Sequence, residues 1–125
     1  MKEFIEQLSN LIEPSRVILD EDSLRNYASD QTEDFEFLPQ IAAIPNTVDE
    51  ISQILKLCNE FEIPVTTRGA GTGLSGAALP IHGGLVMSMK NFNKILEIDE
   101  DNLQATVESG VINADFRNAV EEKGL

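Results

Sequence analysis

Residues 68–76 read Arg-Gly-Ala-Gly-Thr-Gly-Leu-Ser-Gly, and the chemistry they offer is mostly that of the backbone. Four glycines fall within nine residues, and Thr72 and Ser75 carry the only hydroxyls among them. Glycine turns the main chain into conformations other residues avoid, and lets another group approach it closely. Such a run can aim successive N–H groups into one concavity, a nest for an anion. The stretch is expected to be a diphosphate cradle; composition leaves a plain surface loop open as the alternative. Arg68 at its head can pair with a phosphate or with one of the chain's 22 acids.

The charge map favours the cradle. The 125 residues carry a formal net charge of −13, yet residues 63–96 contain no Asp or Glu. At the chain's mean density that window holds about six acids. Its ionic side chains are Arg68, Lys90 and Lys94. Charges farther apart than a Debye length of roughly 8 Å are largely screened in physiological salt, so an acid-free loop can hold a phosphate on an acidic protein. The same acidity argues against a nucleic-acid surface, where affinity comes from Lys and Arg on phosphates. It also argues against adhesion to an anionic membrane.

Other chemistry is sparse. Cys58 and His82 are the only residues of their kinds. One thiol forms no internal disulfide and supplies too few ligands for a cysteine zinc site. A Ser-His-Asp or paired-carboxylate centre cannot be argued, so no catalytic residue and no metal ligand is assigned. The acids of 99–101 lack the EF-hand pattern and read as a solvated turn. The lone cysteine, the acidic N-terminus and the lack of a long apolar run lead to the expectation of a cytoplasmic protein.

Residues 71–76 formally match G-x-G-x-x-G, but that fingerprint must open a helix. Pro80 and the Gly83-Gly84 pair follow too soon for one. No Lys follows Gly76, which excludes a P-loop. Ala78 stands where a protein-kinase loop needs Val.

The elements that must position the loop are readable around it. Residues 2–12 have the apolar spacing of an amphipathic helix, stopped by Pro14. A second helix is expected near 21–28, capped by Asp20 or Asp22, and 29–37 reads as an exposed connector. Residues 41–44 predict a buried strand. Thr47 and Glu50 form a capping box opening a helix whose apolar face is expected to carry Val48, Ile51, Ile54, Leu55, Cys58 and Phe61. Cys58 is expected to be a buried structural thiol. A strand over 63–67 then completes a βαβ-like unit that delivers the glycine loop. Residues 85–89 predict a buried strand, and 95–98 with 103–107 a hairpin. Asn113 is expected to cap a last helix ended by Gly124. The chain stops one residue later, which reads as the edge of a longer protein.

Residues 44–51, Ile-Pro-Asn-Thr-Val-Asp-Glu-Ile, and 63–65, Ile-Pro-Val, run into the glycine motif. Gly83-Gly84-Leu85-Val86, Asn93-Lys94-Ile95-Leu96-Glu97-Ile98-Asp99 and Ser109-Gly110-Val111 follow in order. This set resembles the FAD-binding domain of the vanillyl-alcohol oxidase/p-cresol methylhydroxylase superfamily. It is most similar to the FAD-linked D-lactate and glycolate dehydrogenases of the glycolate oxidase D-subunit type. The resemblance implies an α+β fold: the first subdomain of a two-subdomain FAD-binding domain, a small mixed sheet with flanking helices, preceded by N-terminal helices. It divides the chain into a lead at 1–37 and a subdomain at 38–125. It implies that Arg68, Gly69, Ala70, Gly71, Thr72, Gly73, Leu74 and Ser75 bind FAD, with Gly110 and Val111 nearby. Some members attach the flavin through a loop histidine; Thr72 occupies that position, which implies non-covalent FAD. Set against the family's pattern, the second subdomain and the substrate cap are expected to be missing from these 125 residues.

Three functions follow as expectations. The first is the N-terminal part of an FAD-dependent oxidoreductase acting on a small 2-hydroxy acid, inactive alone. The second is a non-catalytic module acting as a homo-oligomer through its exposed apolar surface. The third is a binder of another diphosphate ligand.

Overall fold

A computed structural model describes residues 1–30, 35–73 and 76–125. At its centre β1 (Val17–Ile18), β2 (Ile41–Ala43), β3 (Val65–Arg68) and β4 (Leu85–Ser88) form one sheet in the order β1-β2-β4-β3. β2, β4 and β3 are parallel, and β1 joins β2 antiparallel. The small mixed sheet with flanking helices is the expected α+β architecture.

Strand, helix and strand do alternate through β2, α3 (Val48–Glu60) and β3. However, β2 and β3 do not pair; β4 lies between them. Composition explains the insertion. β4 reads Leu-Val-Met-Ser and is buried throughout, as a central strand covered on both faces must be. β3 reads Val-Thr-Thr-Arg and takes the edge. It begins at Val65 rather than Ile63. The Ile63 amide is spent on the Cys58 carbonyl behind α3 (2.8 Å), and Pro64 has no N–H to give.

Pleating sends alternate residues to opposite faces. Ile41, Ala43, Leu85 and Met87 share one core with Phe4 and Leu8 of α1 (Lys2–Leu11) and Ile54, Leu57 and Cys58 of α3. Ala42 and Val86 meet Leu24, Ile18 and Tyr27 on the other face. A ten-residue helix such as α1 is marginal in isolation. Burying Phe4 and Leu8, each worth about 1.5–3 kcal/mol, is what holds it. The Phe4 ring also meets Phe61 edge-on at 5.6 Å.

α2 (Glu21–Leu24) is a single turn capped by Asp20, whose carboxylate accepts from the Ser23 amide at 2.9 Å. The expected longer helix tightens instead into a 3-10 turn at Arg25–Tyr27. Three residues per turn stack Leu24 and Tyr27 on one side, toward the sheet. Of the expected connector, 31–34 lie outside the described residues; Phe35 is exposed and Phe37 half-buried.

Thr47 caps α3 by accepting from the Glu50 amide (3.1 Å). Glu50 reaches back to the Asn46 amide (2.8 Å), one residue before the cap, and also takes a bidentate grip from Arg16 (3.0 and 2.8 Å). β5 (Ile95–Asp99) and β6 (Gln104–Val107) pair antiparallel around a turn in which Asp99 accepts from Asn102. In α4 (Asn113–Glu121) the cap position falls to Ile112, not Asn113. Ile112 has the extended backbone a cap requires but no side-chain capping bond, while Asn113 is already the first helical residue. Gly124, at φ +78, ends α4 as expected, with the Leu125 amide bonded to the Val120 carbonyl. No helix among the described residues is long and apolar enough to cross a membrane.

Candidate functional site

The glycine loop leaves the carboxyl end of β3, beside the carboxyl end of β4. That edge is where open sheets with parallel strands bind ligands. Gly69, Ala70, Gly71, Thr72 and Gly73 line one cavity of about 370 Å³, closed by Thr67, Ala77 and Ala78. No charged side chain is among these lining groups. Among the described residues, no amide of 69–73 donates to a backbone carbonyl outside the strand ladders. The wall is thus small and neutral, and glycine-rich backbone of this kind can turn N–H groups toward a diphosphate.

A second cavity of about 210 Å³ adjoins the first through Gly69 and Ala70. Gly110, Lys90, Asn93, Ile112 and Asp115 complete it. Gly110 is held there by its amide, which donates to the Phe92 carbonyl at 2.7 Å. A Cβ on Gly110 would run into the Met89 carbonyl oxygen and lie 2.7 Å from that of Phe92. The residue is glycine because the backbone of 89–92 passes directly against it.

Arg68 is placed differently from the loop it heads. It is 8% exposed and is not among the residues lining either cavity. Register explains this. Arg68 pairs with Ser88, and two residues back Thr66 pairs with Val86, so its side chain projects from the Val86 face, where Tyr27 packs. One guanidinium nitrogen donates to the Ser29 carbonyl at 2.7 Å, and Cζ lies 5.8 Å from the Tyr27 ring centroid. Burial pulls its pKa below the ordinary arginine value, opposed by the nearby Asp30 charge.

Of the expected FAD-binding residues, the structure therefore brings 69–73 together in one wall and sets Gly110 in the adjoining one. Arg68 lies behind the wall rather than in it, and Val111 lines neither cavity. Leu74 and Ser75 lie outside the described residues. Lys90, Asn93, Ile112 and Asp115 line the second cavity without being among the expected site residues; the acid-free window marks Lys90 and the family-like run 93–99 marks Asn93, while nothing local marks Ile112 or Asp115. Cys58 is buried on α3, where desolvation pushes its thiol up to about 11. Among the described residues no His, Cys, Asp and Glu side chains gather in a group of three or more that could hold a metal ion.

A neutral, glycine-rich wall thus stands at the carboxyl edge of a small mixed sheet, and the described residues 76–84 after it form no helix of the Rossmann kind. The family model described as "FAD binding domain" matches residues 39–125, and the chain belongs to that family. FAD is its cofactor. The chain is 48% identical over 99 residues to the glycolate oxidase subunit GlcD of Bacillus subtilis, covering 79% of this chain and 21% of that protein. It is 35% identical over 124 residues to the D-lactate dehydrogenase of Anaerostipes hadrus, covering 98% and 26%. It superimposes on p-cresol methylhydroxylase solved with substrate bound, with a TM-score of 0.87 and 27% identity, covering 99% of this chain and 25% of that one. The chain thus spans about a quarter of the length of the relatives it matches.

Proposed function

We propose that the chain is the FAD-diphosphate-holding part of a flavoenzyme that oxidises a small 2-hydroxy acid of the D-lactate or glycolate class. The observation that carries this reading is the small, uncharged, glycine-rich wall of 69–73 at the carboxyl end of β3. The relatives named glycolate oxidase and D-lactate dehydrogenase supply the substrate class. Gly69, Ala70, Gly71, Thr72 and Gly73 hold the diphosphate, Leu74 and Ser75 complete the binding motif in sequence, and Gly110 approaches from the second cavity with Val111 next to it in the chain. Bound there, FAD supplies the electron sink for oxidation of the hydroxy acid. It is held non-covalently, since Thr72 offers no imidazole to alkylate. The division at 37/38 describes the family module, whose match begins at residue 39, although the lead lends it Phe4 and Leu8 as core. Residence in the cytoplasm rests on the single cysteine.

Calorimetric titration of the 125-residue chain with FAD tests this, with Gly71→Asp beside it. Saturable binding that the variant abolishes is the expected result. A folded chain indifferent to FAD, or one that prefers ADP and ignores flavin, would sink the reading. The chain alone is expected to turn over no hydroxy acid.

Self-association is a second reading, favoured by one observation. Ile98, Leu103, Phe116, Val120 and Leu125 line an apolar groove between the hairpin and α4, and β6 is exposed along its whole length. Light scattering decides it; a monomer at every concentration would count against it.

A further inference from the structure

We propose that Arg68 is a positioning residue: its buried guanidinium latches segment 27–30 to the underside of the glycine loop at Gly71, and so holds the cradle in shape without touching the phosphates.

Three contacts define the latch. The guanidinium donates to the Ser29 carbonyl (2.7 Å), lies over the Tyr27 ring (5.8 Å) and fills the space beside Gly71. The third contact is the informative one. Gly71 sits at φ +71, and a Cβ there would overlap Nη2 and Cζ of Arg68 and come within 2.7 Å of Nε. A long side chain can usually swing away from such an overlap. This one is buried, hydrogen-bonded and stacked, so swinging away breaks the latch. Gly71 is therefore seated directly on the guanidinium.

The partners come from residues thirty-nine and more positions earlier in the chain. The lead segment thus reaches the site through Arg68, although none of its residues lines the cavity. Lysine cannot replace it: an ammonium lacks the planar fork that stacks on Tyr27 while donating to Ser29. The cradle itself stays free of fixed charge, and the amides do the binding.

The loop-geometry arm of the test needs no ligand; only the affinity arm rests on the FAD reading. Backbone ¹⁵N order parameters of the chain are measured for wild type, Arg68→Met, Arg68→Lys and Tyr27→Leu. From near 0.85, the amides of 69–73 are expected to fall to about 0.6 or lower in all three variants, with β4 unchanged. In calorimetry, FAD affinity is expected to fall about tenfold, with the salt dependence of binding the same as in wild type. Unchanged order in the loop overturns the latch. So does a loss that spreads through β4, which would make Arg68 a support of the whole fold. So does an affinity loss confined to the Arg68 variants and accompanied by a flatter salt dependence, the mark of a direct phosphate contact. A wild type that ignores FAD defeats the cofactor reading alone, and the order parameters still decide the latch.

Discussion

Gly71 and Arg68 are each intelligible only through the other. Alanine at position 71 meets two penalties: the left-handed backbone, about 1–2 kcal/mol, and the overlap with the guanidinium. Only the second depends on Arg68. A double-mutant cycle of Gly71→Ala with Arg68→Met, read by thermal or urea unfolding, is expected to give a coupling of about 1–2 kcal/mol. Simple additivity would mean that the side chain moves aside freely. Cys58 gives a second test at this scale. Burial raises its thiol from 9.0 to about 11, so the neutral form is favoured in the folded state. That stability is complete below pH 9 and is lost as pH climbs toward 11. Unfolding at pH 7 and 10.5 should differ by up to about 2 kcal/mol from this group. Cys58→Ala is expected to be less stable at pH 7, through lost packing, and to lose that slope. A slope retained in the variant would assign it to other groups.

The capping box of α3 shows how one element is tied to its neighbours. Glu50 accepts from the Asn46 amide while Arg16 grips both its oxygens, and Arg16 also donates to the Ile44 carbonyl. The Arg16 guanidinium holds the Glu50 carboxyl below its ordinary 4.5. The sign follows from linkage: the contribution is present above about pH 4.5 and disappears as pH falls through the lower folded value. Glu50→Gln is expected to cost about 1–2 kcal/mol at neutral pH. The same variant should flatten the acid limb of the stability curve, as followed by denaturant midpoints between pH 3 and 7 (about the range where carboxylates titrate). An unchanged acid limb would mean that the pair is solvated. Much of this element was legible, because Thr47 and Glu50 sit three residues apart before a 3.6-residue apolar rhythm. Arg16 was not, since nothing local pairs it with a residue 34 positions on. The sheet order was hidden for the same reason: apolar content marks β4 as buried, but not which neighbours it takes. The glycine wall could be read because its backbone needs are written in residue type. The fate of Arg68 could not, because it depends on Tyr27 and Ser29 arriving from the lead.

Across the whole molecule, charge and surface are unevenly spread. The chain carries −13 overall, while the window that builds both cavities' glycine side holds only cations. The hairpin and α4 present an apolar groove lined by Ile98, Leu103, Phe116, Val120 and Leu125, none of them in that window. The acid-free window was plain in the sequence; that its arginine would turn inward was not, and this changes what salt should do. At about 10 mM salt the Debye length is roughly 30 Å, so a bound diphosphate feels the acids of the entire molecule. Near 150 mM it is roughly 8 Å, and what remains in range is the neutral wall, the Arg68 guanidinium beneath Gly71, and Lys90 and Asp115 of the adjoining cavity. A ligand held by contact ion pairs binds more weakly as salt rises. A ligand held by amides on an acidic protein binds more tightly as distant repulsion is screened. FAD affinity, measured by calorimetry at both ionic strengths, is therefore expected to rise by severalfold with salt, on the order of the effect of about 1 kcal/mol of screened repulsion. A fall would mean that a cation does touch the phosphates, with Lys90 the first to examine by Lys90→Met.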